Sequence, residues 1–169
     1  MFNVTSSNAC TLISVTASSF SGALSANIIF KDLSSNSVYT QPLNYSGAPP
    51  SGQTNVLVSN LPAPNGAYEV SLLENNVEVA RRPLLLHCDI DCCLAKLTNE
   101  LIDCACDCPK CASALAKAQK VFLLLQSALS TVGLASTQSG SFNSGYYQDI
   151  LQKYNKAKAI CDESCGCNC

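Results

Sequence analysis

The chain has 169 residues, only 13% of them charged, with a formal net charge of −2 and ten scattered Lys and Arg. That length suits one ordinary domain or two small ones. Nothing in it forms the basic footprint of a nucleic-acid binder, and no continuous run of 18 apolar residues suits a membrane span, so neither nucleic acid nor membrane is expected as a partner.

The opening segment, MFNVTSSNACTLISV, lacks a basic start and a continuous apolar core and does not read as a signal peptide. Synthesis in a reducing cytosol is therefore expected, where cysteine clusters are more often metal sites than disulfides. Residues 1–86 hold one of the twelve cysteines and many Ser, Asn, Thr and Val. Short strands are predicted at Phe2–Thr5, Thr11–Ala17, Ala26–Lys31, Val38–Leu43, Thr54–Val58, Tyr68–Leu73 and Val77–Leu86, from alternation of the kind seen in Ile13, Val15 and Ala17. Turn formers separate them: Ser34-Ser35-Asn36, the stretch from Ser46 to Gly52, and the stretch from Pro62 to Gly66. Asn75-Asn76 suits a hairpin, because Asn tolerates positive φ. Seven strands at this spacing predict an antiparallel sandwich.

Leu86 runs into a different kind of sequence with almost no linker. Residues 87–169 read as a cysteine-rich helical domain, which makes the whole an α+β chain of two domains. Ile90, Leu94, Leu97, Leu101 and Cys104 follow alternating steps of four and three, a helical stripe. Cys111, Leu115, Ala118, Phe122, Leu125, Leu129 and Val132 do the same, after a start signal at Asp107 and Pro109. Tyr147, Ile150, Tyr154, Ala157 and Cys161 make a third stripe, and Gly133 to Gly145 reads as an exposed Ser/Gly connection. Three helices running up, down and up would bring Cys104, Cys106, Cys108, Cys111, Cys161, Cys165, Cys167 and Cys169 to one pole. On that topology Cys104, Cys111 and Cys161 should lie within ~10 Å of one another. Cys88, Cys92 and Cys93 fall at the opposite pole and read as plain buried thiols, although Cys88, Cys92 and His87 could share one metal ion.

Eight gathered thiols could form structural zinc sites or disulfides linking the two clusters. Either device would staple a helical unit with a thin core. A catalytic reading is weak. His87 is the single histidine, its neighbour Cys88 points elsewhere, and no nucleophile–base pair or phosphate loop is visible. Asp89 and Asp91 suit the positive end of the first helix. The first helix, about 15 residues against about 24 for the second, leaves roughly 13 Å of the second uncovered at 1.5 Å per residue. Val121, Leu124, Leu125, Ala128 and Leu129 are therefore expected at an intermolecular contact.

Two resemblances add to this. The segment from Leu61 to Leu72, LPAPNGAYEVSL, resembles the corner before the penultimate strand of immunoglobulin-like and fibronectin-like domains, where a tyrosine bonds back to upstream backbone. The segments CDIDCCLAKL, KAQKVFLLLQSA and YNKAKAICDESCGC resemble small cysteine-rich structural proteins of tailed bacteriophages. That resemblance implies a non-enzymatic virion component (decoration, neck, tail or baseplate adaptor), assembled in the host cytoplasm as a homo- or hetero-oligomer with other virion proteins. A cytosolic metal-binding or redox-responsive module is the competing expectation.

Overall fold

The computed structural model describes residues 1–7, 10–102, 109–137 and 144–165, with the side chains of 102, 109–111, 137, 164 and 165 left out. Seven strands come first: β1 Phe2–Ser6, β2 Leu12–Ser18, β3 Ser25–Asp32, β4 Val38–Asn44, β5 Ser51–Leu57, β6 Gly66–Glu74 and β7 Val77–Leu86. Three helices follow: α1 Cys88–Ile102, α2 Pro109–Thr137 and α3 Ser144–Cys165. The strands form two antiparallel sheets, one ordered β1-β2-β5 and the other β4-β3-β6-β7. Each strand lies within a few residues of its predicted position, because period-two alternation bounded by turn formers leaves little latitude.

The alternation becomes packing directly. Ile13, Val15 and Ala17 of β2 meet Ile28 and Phe30 of β3 and Tyr68, Val70 and Leu72 of β6 in a core between the sheets. The turns carry the predicted chemistry. Asn75 and Asn76 both take positive φ, 52° and 64°, in the β6–β7 hairpin. Gly52 is needed for a different reason: a β-carbon there would collide with the Asn44 carbonyl oxygen where the ends of β4 and β5 approach. At the corner before β6, the Tyr68 hydroxyl donates to the Ala63 carbonyl (2.5 Å) and accepts from the Ala63 N–H (2.9 Å). One buried phenol thereby closes the loop that leads into the central strand.

The helical half packs on the sandwich as a third layer. Leu84 and Leu86 of β7 point into the sandwich, whereas Leu85, Ala67 of β6 and Leu33 point outward into a second core. That core also holds Ile90, Cys93 and Leu97 of α1, Val121, Leu125 and Ala128 of α2, and Ile150, Tyr154, Ala157 and Cys161 of α3. The sheet β4-β3-β6-β7 therefore has apolar residues on both faces toward its β6–β7 side, the pattern of a strand pair covered twice.

One helix boundary differs from expectation. The second helix was expected to give way to a flexible connection at Gly133, but α2 continues through it to Thr137. Gly133 costs about 1 kcal/mol relative to Ala, while Thr131 just before it is anchored to α3. Its hydroxyl donates to Asp149 Oδ2 at 2.8 Å, and Lys153 reaches both groups. That attachment holds the last turns of α2 in place.

Candidate functional site

The junction between sandwich and helices is where the chemistry-bearing side chains gather. His87 is the single residue between β7 and α1. Asn65, from the loop before β6, accepts a hydrogen bond from the Asp89 backbone N–H, so the sandwich itself caps the first turn of α1. Asp89 Oδ2 then accepts from the Tyr154 hydroxyl at 2.8 Å and lies 3.5 Å from Lys158 Nζ, fixing α3 alongside α1. Burial, and then the hydrogen bond to a carboxylate, push the Tyr154 phenol well above its ordinary pKa. His87 Nδ1 lies 2.9 Å from Asp91 Oδ2, one turn into the helix.

Two disulfides tie this junction. Cys10, in the loop between β1 and β2, is bonded to Cys88 at the start of α1, with Cα atoms 6.1 Å apart. Cys93 of α1 is bonded to Cys161 of α3, with Cα atoms 5.8 Å apart. Cys92 is also disulfide-bonded. Cys88, Cys92 and Cys93 are thus not the free thiols expected of them, and Cys88 and Cys92 are not partners of His87 around a metal.

Cys161 requires the larger correction. It was expected beside Cys104 and Cys111 at the far end of α1, but it sits against Cys93, in the second turn of that helix. The up–down–up course is preserved; the offset along it is not. α3 begins over the sheet, where Tyr147 is buried near Glu69 and Arg81, and only its second half comes alongside α1. Tyr154 then meets Asp89, and two turns later Cys161 meets Cys93. Its sulfur is committed to that bond, so it is not a zinc ligand. Among the other residues expected in the cluster, Cys104, Cys106, Cys108, Cys167 and Cys169 lie outside the described residues. The side chains of Cys111 and Cys165 lie outside them too. Among the described residues, no three His, Cys, Asp or Glu side chains are gathered as a metal site.

The expected contact surface on α2 is rotated. Val121 and Ala128 are fully buried and Leu125 nearly so, all in the intramolecular core, while Leu124 is half-buried. Of the five residues expected there, only Leu129 is exposed. The outward face is instead Leu115, Phe122, Leu123, Leu129 and Leu134. α2 is apolar nearly all round, so its sequence did not say which stripe would turn inward. The inward stripe is the one that carries Ala114, Val121, Leu125 and Ala128, all buried. Leu115, Phe122 and Leu129 stand seven residues apart, a signal present in the sequence but assigned to the inner seam.

The far end of the sandwich holds a second polar construction. Glu74 is 1% exposed, yet its carboxylate accepts hydrogen bonds from the Phe20 and Ser21 backbone N–H groups and from the Ser21 and Tyr45 hydroxyls. Burial alone would raise its pKa; these bonds together outweigh burial and hold it below the usual carboxylate range. The carboxylate fastens the β2–β3 loop, whose Phe20 and Leu24 remain exposed at that tip.

No protein-family model matches the chain, and no curated protein is significantly similar to it in sequence.

Proposed function

We propose that this chain is a non-enzymatic structural component of a tailed-bacteriophage virion, a decoration, neck, tail or baseplate adaptor that docks through its helical unit. The observation that carries this reading is the covalent junction. Cys10–Cys88 joins the β1–β2 loop to α1, and Cys93–Cys161 joins α1 to α3, across sequence separations of 78 and 68 residues. Cross-links between distant segments suit a part that must keep one shape after assembly and release into oxidising surroundings. The strand order and the Tyr68 corner support an immunoglobulin-like character for the sandwich, and the quoted cysteine-rich segments support the phage assignment. Buried Cys93 and Cys161 weigh against the redox-sensing alternative, since sensing thiols are exposed.

The test is proteomic. Purified particles from the phage that encodes the chain should contain it in stoichiometric amounts, and antibody labelling should decorate one substructure. Its absence from particles alongside abundance in infected cytosol overturns the reading. Elemental analysis with thiol counting on the purified chain separates the two staples: bound zinc would show ligation by cysteines among Cys104, Cys106, Cys108, Cys111, Cys165, Cys167 and Cys169, and full oxidation would leave no titratable thiol.

A further inference from the structure

Docking needs a surface, and α2 presents one that the intramolecular packing leaves open. Leu115, Phe122 and Leu129 are 47%, 49% and 40% exposed and recur at seven-residue steps, with Leu123 at 64% and Leu134 at 59% beside them. At roughly 150–200 Å² per large apolar side chain, those fractions leave on the order of 450 Å² of apolar surface on one helix, above the ~400 Å² at which a patch becomes a liability for a monomer.

We propose that this face pairs with the same face of a second copy of the chain, an inference that rests on the docking role given to the helical unit and names its partner. Three observations favour a second copy over other occupants. The first is area. Two such faces contribute about 900 Å² from five side chains each, and the intervening Ala112, Ala116, Gln119, Gln126 and Ser130 carry the total past the ~1,000 Å² of a specific interface.

The second is polar complementarity. The polar groups on the stripe at Gln119 and Gln126 are amides, each both donor and acceptor, so two identical faces can satisfy one another. A lipid surface would leave those amides unpaired. α2 has the length and apolarity of a membrane-crossing helix, but its inner stripe is packed on α1, α3 and the sheet, and Thr131 is bonded to the charged Asp149 of α3.

The third is charge. No Asp, Glu, Lys or Arg occurs from Val121 to Thr137, so nothing repels a copy approaching over that length. Lys117 and Lys120 lie toward one end, and a two-fold, antiparallel pairing keeps them apart. Such a pairing is also the closed, isologous form that most homodimers take.

Sedimentation of the purified full chain should show a dimer at ~100 µM. Phe122→Lys and Leu129→Lys should each weaken association by about a hundredfold, with circular-dichroism melting unchanged, because both side chains already face solvent. Leu123→Gln, beside the stripe, should weaken it less. A wild-type chain that stays monomeric at that concentration overturns the proposal. So does a dimer indifferent to the two lysine variants, or a monomer that instead binds phosphatidylcholine vesicles. The virion reading fails separately: a dimer missing from particles sinks that reading alone, and a monomer found in particles sinks only the self-pairing.

Discussion

The two halves of this molecule hold together by different means. The sandwich has a core of seventeen buried residues between two sheets, and away from the β6–β7 side its strands turn mostly polar side chains outward. The helical half shares one layer of that sheet and relies on disulfides and a few directed polar bonds for its register. A strand with one apolar face has little choice of orientation, since a one-residue slip would expose its whole apolar set. A helix such as α2, apolar on opposite faces, has several choices, and neighbours decide among them.

That difference can be broken experimentally, most forcefully in the sandwich core. Phe30→Ala should cost about 4 kcal/mol in denaturant unfolding, equally with and without reductant. A strong dependence on reductant would mean that the sandwich, too, leans on the cross-links. The Cys93→Ser and Cys161→Ser double variant should lose about 3 kcal/mol, seen as helix melting at a lower temperature than strand melting. If the helices and strands still melt together at the native temperature, the two halves are one cooperative unit and the contrast fails.

A smaller effect is expected at the sandwich tip. Glu74→Gln presents an amide N–H₂ to backbone donors and should cost about 2 kcal/mol at neutral pH. The native carboxyl has a folded pKa below its unfolded value of about 4.5. Its contribution is therefore complete above that value and is lost as pH falls through the lower, folded pKa. Wild-type stability should decline more steeply than that of the variant as a titration passes below about pH 5; parallel curves would show that the carboxylate is not ionised in the fold. Finest of all is the comparison of two phenols. Tyr68→Phe strands both the Ala63 N–H and C=O and should cost about 1.5 kcal/mol, whereas Tyr154→Phe removes one of several donors to Asp89 and should cost about 1 kcal/mol. Reversal of that order would show that the junction, not the corner, is the more tightly specified site.

How much of this was legible follows the same division. All seven strands and the Asn75-Asn76 hairpin could be read from alternation and turn chemistry, because those signals act locally, whereas the Tyr68 corner was legible only through its resemblance to a known kind of strand corner. The existence and direction of three helices were legible for the same reason. The pairing of Cys10 with Cys88 was not, since nothing near Cys10 marks it, and only the folded sheet brings the β1–β2 loop to the start of α1. Nor was the partner of Cys161, because the offset of α3 is set by Tyr147 on the sheet and by Tyr154 against Asp89, two long-range contacts. The open face of α2 was half-legible: the seven-residue step was visible, its direction was not.

The single-residue connection at His87 has a mechanical consequence. Tension applied to the helices enters the sandwich at Cys88 by two covalent routes at once. One follows the main chain into β7, where the ladder with β6, running from Gly66–Leu86 to Glu74–Val77, takes the pull lengthwise and shares it across many bonds. The other crosses the sulfur bridge to Cys10 and reaches β2 in the opposite sheet. Each sheet is thus joined covalently to the start of α1. Reduction would leave the main-chain route alone, and pulling between the N-terminus and α1 in an optical trap should then release the chain between Cys10 and Cys88, which the intact bridge withholds.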